Sequence, residues 1–519
     1  MARAKKSAAS QPQTTAQNLG SLIKSARDIM RKDKGLSTDI DRLPLLTWIM
    51  FLKFLDDMEQ IEESRAAMRG ERYRPAIESP YRWRDWAARE DGITGKELMA
   101  FVSQEEATGP DGKRGPGLLA HLRSLQGGDG IARRRRVIAT VFKDINCRML
   151  SGYLLRDVIN KVNGIHFLAK DELFTLGHLY ETMLREMRDA AGENGEFYTP
   201  RPVVKFMVEV VNPRLGETML DPACGTGGFL VETYQHLEKQ CQTVSDRQML
   251  QDESIRGGEA KPLPYLLCQM NLLLHGLEAP NIDPENSLRF KLTELGDKDR
   301  VDVILTNPPF GGEEEAGIRG NFPANMQTSE TALLFLQLIM RRLRRAGAGL
   351  EPGGRAAVVV PNGTLFGDGV CAKIKGQLLR EFNLHTVVRL PNGVFAPYTN
   401  IPTNLLFFDR SGPTKEVWYY EQTLPEGRKN YTKTQPIQFE EFRPCLDWWH
   451  KREGNDRAWK VSVAELSAKN YNLDRKNPRG KEDIAHLPPE QLATSILEKE
   501  RRIAEIVERI QGLVSKANA

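Results

Sequence analysis

Residues 219–230 read Met219-Leu220-Asp221-Pro222-Ala223-Cys224-Gly225-Thr226-Gly227-Gly228-Phe229-Leu230. An apolar run ends on an acid, a glycine-rich turn follows, and a helix is expected to begin near Phe229. Glycines let the backbone approach a ligand closely, and free amides at a helix start hold a negative group such as a carboxylate. The spacing lacks the terminal Lys-Ser/Thr of a phosphate loop, so it gives no support for ATP hydrolysis. On either side, short apolar runs alternate with helical segments. Strands are expected at 218–220, 301–306, 355–360, 386–390 and 404–408. That alternation predicts an α/β unit with a mostly parallel sheet covered by helices on both faces. In such a sheet, ligands bind beyond the carboxyl ends of the strands. An acid ending the strand after the loop should meet ribose hydroxyls, and Glu259, in Gly257-Gly258-Glu259, is the candidate. Its distance from the loop implies an insertion around 240–255. Glu259-Ala260-Lys261 also matches the Glu-x-Lys end of a nuclease motif, but no well-placed Pro-Asp precedes it.

A second motif lies at Val301-Asp302-Val303-Ile304-Leu305-Thr306-Asn307-Pro308-Pro309-Phe310, where a strand runs directly into Asn-Pro-Pro-Phe. Two prolines stiffen the chain and remove two amide donors. The Asn307 side-chain oxygen and the Pro308 carbonyl are suited to accept both hydrogens of a planar amine. This localises the nitrogen lone pair for attack on a methyl sulfonium, and Phe310 offers a face for stacking. The electrophile is already activated, so positioning supplies most of the rate. A base inside a duplex must first be flipped out. Asn307, Pro308, Pro309 and Phe310 are therefore the expected catalytic residues. The tetrapeptide specifies methylation of an amino group but not adenine, since glutamine side chains and RNA guanine are modified by enzymes that carry it. Methylation at cytosine C5 requires a Pro-Cys nucleophile. Pro444-Cys445 is such a dipeptide, but it lies in a Trp-rich segment beyond the expected sheet and is read as incidental.

The Asp-Pro-x-Cys-Gly-x-Gly-Gly form resembles the S-adenosylmethionine loop of class I methyltransferases. The more discriminating stretch is Gly192-Glu193-Asn194-Gly195-Glu196-Phe197-Tyr198-Thr199-Pro200-Arg201-Pro202. With Leu176-Gly177-His178-Leu179-Tyr180-Glu181, it resembles the start of the catalytic domain in modification (M) subunits of type I restriction-modification systems. Leu52-Lys53-Phe54-Leu55-Asp56-Asp57, Asn362-Gly363, Leu390-Pro391-Asn392-Gly393-Val394-Phe395 and Asn470-Tyr471-Asn472-Leu473 are similar to further landmarks of that family. The resemblance implies a Rossmann-like class I methyltransferase fold preceded by an all-helical N-terminal domain and followed by a C-terminal helix. It implies adenine-N6 methylation of double-stranded DNA with S-adenosylmethionine. By the same resemblance, Glu196, Phe197, Tyr198, Thr199, Pro200, Arg201, Gly225, Thr226, Gly227, Gly228 and Glu259 contact the cofactor. Asp221 orders the loop near the methionine amine, Asn286-Ser287 approaches the cofactor's adenine, and Phe395 and Tyr398 are further base contacts. No long second region is available for target recognition. The family supplies this function through a separate specificity (S) subunit, usually joined by two M subunits, to which a restriction (R) subunit can be added.

The remaining chain is consistent with this organisation. It has 519 residues, 27% of them charged, and a net charge of +4, too small by itself to demonstrate a nucleic-acid partner. Its six cysteines include no CxxC pair, so neither a zinc site nor a disulfide framework is expected. No signal peptide and no run of about 18 apolar residues is found, which gives the expectation of a cytosolic prokaryotic protein without membrane contact. Residues 1–16 are expected to be a disordered tail, 17–165 a helical domain without strands, 166–480 the catalytic domain, and 481–519 a partner-binding helix. In that helix, Leu492, Ile496, Ile503, Ile506, Ile510 and Leu513 form a heptad-like stripe. The segments 109–117 and 127–130 read as loops. Four arginines at 133–136 fit either a solvated helix start or a phosphate contact. The alternative function is an amino-methyltransferase acting on protein glutamine or RNA. A non-catalytic cofactor sensor is a third reading, opposed by the intact Asn-Pro-Pro-Phe.

Overall fold

The computed structural model describes residues 16–125, 132–165, 199–310, 312–347, 353–396, 399, 401–432, 434–479, 497, 499–507 and 510. Helices at Ala16–Met30, Asp39–Met68, Gly95–Ser103, Leu118–Ser124, Ala132–Phe142 and Gly152–Asn163 dominate the first third. Asp41 starts the second of these helices by accepting the Thr38 amide at 3.0 Å, which satisfies a donor that the first turn leaves unpaired. Trp48, Phe51 and Phe54 of this helix are fully buried, and Phe142 packs on the first two. The charges of the Leu-Lys-Phe-Leu-Asp-Asp run are internal. Lys53 pairs with Asp57 inside the fold, and Asp56 receives Arg84 at 2.8 Å.

The first third is not strand-free. β1 (Glu106–Thr108) and β2 (Arg114–Pro116) form a short antiparallel hairpin. The stretch expected to be a loop at 109–117 is therefore partly strand, with Gly112 supplying the positive φ of the turn. The arginine run lies at the start of the Ala132–Phe142 helix, and Arg134 and Arg135 are half-buried. Arg134 donates to Tyr73 Oη at 3.1 Å and lies 3.5 Å from Glu278. Arg135 donates to the Ala76 carbonyl and to Glu78. These two arginines staple the helix start to its neighbours, and Arg134 reaches across to the catalytic part of the chain.

The catalytic part is built on a nine-stranded sheet ordered β11-β10-β8-β9-β7-β6-β3-β4-β5. Its strands are β3 (Met219–Asp221), β4 (Ile255–Gly258), β5 (Asn281–Asp283), β6 (Val303–Thr306), β7 (Arg355–Pro361), β8 (Asn383–Arg389), β9 (Thr403–Asp409), β10 (Glu416–Glu421) and β11 (Ala458–Ser462). The sheet is mostly parallel, but β9 runs antiparallel between β7 and β8, and β11 is antiparallel to β10. β11 follows Pro444-Cys445, so that dipeptide does not lie beyond the sheet; Cys445 is buried in the Arg443–Lys451 helix. The expected insertion contains the Val244–Asp252 helix. From β3 the chain builds outward through β4 and β5 and then returns to add β6 on the other side. This reversal of strand order makes the carboxyl ends of β3 and β6 a switch point, where open α/β sheets bind ligands. One apolar cluster joins the N-terminal helices to the sheet, from Ile255 on β4 to Tyr420 on β10, and no described helix is long and apolar enough to cross a membrane.

Candidate active site

Parallel pairing of Leu220 with Ile304 sets the ends of β3 and β6 side by side. Asp221 consequently meets Thr306, whose hydroxyl donates to Asp221 Oδ1 at 2.6 Å. The same oxygen receives the Ala223 amide at 3.1 Å and turns the chain into the glycine loop. Asp221 is 1% exposed. Burial pushes its carboxyl up to about 7, against the lowering effect of these two hydrogen bonds.

The glycine loop is held from three directions. Gly225 and Gly227 have φ of 53° and 82°, and a Cβ at Gly227 would lie 2.9 Å from Cys268 Sγ. Asn271, fully buried on the Pro262–Leu274 helix, donates to the Thr226 carbonyl at 2.8 Å. Arg201 donates to the Gly228 carbonyl at 2.9 Å, and burial lowers its guanidinium to about 10. Arg201 thus lies at the loop, as the sequence suggested, and its observed contact is with the backbone.

Glu259, just past β4, turns toward the loop. Its two carboxylate oxygens receive the Gly225 amide at 2.9 Å and the Lys261 amide at 2.8 Å. Burial raises its pKa, and the two amides oppose the shift. Behind it, Ser287 donates to the Pro222 carbonyl at 2.7 Å, and a Cβ at Gly258 would come within 2.4 Å of Ser287 Oγ. Ser287 thus fills the place of a side chain on β4 and closes the strand end against the loop. Asn286 caps the short Ser287–Arg289 turn by accepting the Leu288 amide at 2.9 Å. A cradle formed by the glycine loop, a carboxylate at a strand end and the 286–287 turn suits an adenosyl-amino acid, and Glu259 retains lone pairs for hydroxyl donors.

Across the switch point, Asn307 is partly buried and Pro308 is buried. Asn307 Nδ2 donates to Thr199 Oγ1 at 3.0 Å, while Oδ1 is buried without a hydrogen-bond partner among the described residues. A buried, unpaired amide oxygen costs free energy unless a donor reaches it, so this atom suits an incoming N–H. Phe310 lies beside it, with its ring 6.1 Å from the buried Phe395 at an interplanar angle of 63°. The two rings come from loops after β6 and β8, and together they supply an aromatic wall.

The structure thus brings together Thr199, Pro200, Arg201, Asp221, Gly225, Thr226, Gly227, Gly228, Glu259 and Asn286 on the β3 side, and Asn307, Pro308, Pro309 and Phe310 on the β6 side. Glu196, Phe197, Tyr198 and Tyr398 lie outside the described residues. The roles of Thr306 and Asn271 were missed by the sequence reading. Asn271 belongs to no contiguous motif, whereas Thr306 stands at the strand end ahead of Asn307, a position that marked it.

Comparison with known proteins places this geometry in context. A model of the N-6 DNA methylase family matches residues 171–486, and one of the HsdM N-terminal domain matches 19–162. The chain is 46% identical over 511 residues to the EcoEI type I restriction enzyme methylase subunit of Escherichia coli, covering 97% of this chain and 99% of the relative. A solved chain from Vibrio vulnificus, described as a modification subunit of a type I restriction enzyme, is 67% identical. It superposes with a TM-score of 0.86 over 92% of this chain and all of that one. A chain from a solved type I restriction-modification assembly is 41% identical, with a TM-score of 0.75 over 97% and 99% of the two chains.

Proposed function

The chain belongs to the type I restriction enzyme methylase subunits, a family of N6-adenine DNA methyltransferases. From this premise we propose that it transfers the methyl group of S-adenosylmethionine to N6 of an adenine flipped from double-stranded DNA, at sites chosen by a separate specificity subunit. The observation that carries this reading is the Asn307 amide, held by Thr199 at one end and buried without a partner among the described residues at the other.

The cofactor would be held by the glycine loop at 225–228, by Glu259 toward the ribose hydroxyls and by the 286–287 turn, and it would supply an activated methyl sulfonium. This chain's own residues do the rest. Asn307 Oδ1 takes one hydrogen of the adenine amine and the Pro308 carbonyl takes the other, so the lone pair points along the transfer axis. Phe310 and Phe395 stack and flank the base. The Asp221–Thr306 bond sets the distance between the two half-sites. Contributions of this kind are positional and electrostatic.

Sequence choice is assigned to a partner because the chain between 199 and 479 is accounted for by the sheet, its helices and its loops. The segment 481–519 is the proposed dock for the specificity subunit. Its described part is helical at 499–507, and Ile503, Ile506, Val507 and Ile510 are all about half exposed. Two such chains per specificity subunit, the optional restriction subunit, the domain limits at 165 and 480, and a cytosolic setting form part of the same proposal. The decisive experiment is to co-express the chain with its specificity subunit and sequence host DNA for N6-methyladenine at a defined site. A folded complex that leaves DNA unmodified overturns the reading.

A further inference from the structure

The segment 470–477 lies along the carboxyl edge of the sheet and is not used by the cofactor cradle. Asn470 and Tyr471 are consecutive non-glycine residues with φ of 51° and 56°. Backbone in this region persists only where the surroundings over-determine it, and here they do. Asn470 Nδ2 donates to Asp368 at 2.9 Å. The Tyr471 ring packs on Gly376, where a Cβ would come within 3.0 Å of it. The Leu473 amide donates to the Leu365 carbonyl at 2.8 Å, and the Leu473 carbonyl receives Tyr419 Oη at 3.0 Å. Asp474 accepts Arg389 at 2.6 Å, and the Arg475 carbonyl receives the same guanidinium at 2.8 Å. Asn477 continues along the edge to Glu421.

These anchors have one feature in common. Leu365 and Asp368 belong to the turn that leaves β7, and Arg389 ends β8, immediately ahead of the loop carrying Phe395. β7 and β8 run in the same direction as β6, so these loops emerge on the same edge as Asn307. The cofactor cradle is carried instead by β3, β4 and β5.

We propose that residues 470–474 form a positioning strap for the methyl-accepting base, fixing the turn after β7 and the Phe395 loop after β8 against Phe310. The proposal rests on the reading of the Asn307 edge as the adenine side. Asp474 and Asn470 touch neither base nor cofactor, so they are positioning residues. Small displacements of reacting groups cost rate steeply, about 100-fold for an ångström. Loosening the strap should therefore affect the base and leave the cofactor alone.

The test uses the complex with its specificity subunit and a duplex carrying 2-aminopurine at the methylated adenine. Asp474→Asn keeps the shape and removes the negative charge that faces Arg389. Asn470→Gly accepts the positive φ and removes only the bond to Asp368. Each should lower kcat/KM for DNA by about 10- to 100-fold and abolish the fluorescence rise of the flipped base. The Kd for S-adenosylhomocysteine should remain within about twofold, because the loop amides and Glu259 are undisturbed. Arg389→Lys keeps a charge opposite Asp474 and should lower kcat/KM less than Arg389→Ala does. Normal kcat/KM and normal flipping in Asp474→Asn, or a fall in methylation that tracks a matching loss of cofactor affinity and melting temperature, overturns the strap. The wild-type complex separates the two claims. An unmethylated reference overturns the adenine reading itself, whereas a methylating reference beside an unaffected Asp474→Asn overturns the strap alone.

Discussion

Asn307 and Thr199, 108 residues apart in sequence, are joined by a 3.0 Å hydrogen bond from Nδ2 to Oγ1. The bond fixes which end of the amide faces inward, because Nδ2 is engaged and Oδ1 is left to receive a donor. Thr199→Val preserves volume and removes this anchor. A neutral hydrogen bond contributes about 1 kcal/mol, and each 1.36 kcal/mol is tenfold in rate. Thr199→Val should therefore lower kcat several-fold to about tenfold with little change in cofactor affinity. Asn307→Ala should abolish methylation while cofactor still binds. Steady-state kinetics with calorimetry on both variants checks the pair, and loss of cofactor binding in Asn307→Ala would reassign Asn307 to a structural role.

The cofactor turn makes a separate prediction at Gly227. Its φ of 82° and the 2.9 Å approach of a built Cβ to Cys268 Sγ are independent obstacles to a side chain. Gly227→Ala should lower the melting temperature, with a backbone cost of about 1–2 kcal/mol, and weaken cofactor binding by at least about tenfold. Adding Cys268→Ala relieves the contact but not the dihedral, so the double variant should recover only part of the loss. Full recovery would show that the dihedral is unimportant.

Acid–base behaviour follows from Asp221. Burial raises its folded pKa to about 7, compared with an ordinary 3.8 in the unfolded chain. The folded protein therefore binds more protons than the unfolded one across this window, and stability falls as pH rises through it. The contribution is complete below about pH 4 and lost by about pH 7. Burial shifts Glu259 in the same direction and adds to the effect. Melting curves of the cofactor-free protein should show a shallower decline between pH 5 and pH 7 in Asp221→Asn than in wild type. Parallel slopes would show that Asp221 does not carry the effect.

Arg135 makes structural contacts with the Ala76 carbonyl and Glu78. Arg135→Ala should cost about 1–2 kcal/mol in denaturant unfolding. It should leave unchanged the slope of log K against log salt for DNA binding by the assembled complex, because that slope counts phosphate contacts. A slope reduced by about one would place Arg135 on the DNA.

The C-terminal helix is tested by truncation. Deleting 489–519 should release the specificity subunit on size-exclusion chromatography while cofactor affinity is retained, since among the described residues no contact of the cradle involves that segment. An unchanged complex would remove the helix as a major dock.

Much of the chemistry was legible in residue order because it is local. The glycine turn, Asn307 to Phe310 and the strands leading into them are contiguous, and an apolar run bounded by glycine or proline is visible without knowledge of its neighbours. Strands β4 and β5 were less visible. β4 was expected only as the strand that Glu259 ends, because Gly257 and Gly258 leave it no apolar run. They are glycines because Ile282, Leu230 and Ser287 occupy the space of a Cβ. β5 spans three residues and has no run to detect. The antiparallel insertion of β9 between β7 and β8 cannot be read from its apolar sequence, since a strand buried on both faces has the same composition in either direction.

By itself, the sequence determined the reaction type, the glycine turn and the α/β frame, because each rests on backbone geometry encoded within about ten residues. Tertiary structure decided the partners. It turned Glu259 onto the Gly225 amide, set Thr199 against Asn307, converted Arg134 and Arg135 into staples and laid the 470–474 strap over β7 and β8. These contacts join residues far apart in the chain. A polar side chain's partner is fixed by which surfaces the core brings together, and that is a property of the packed molecule rather than of the neighbouring sequence.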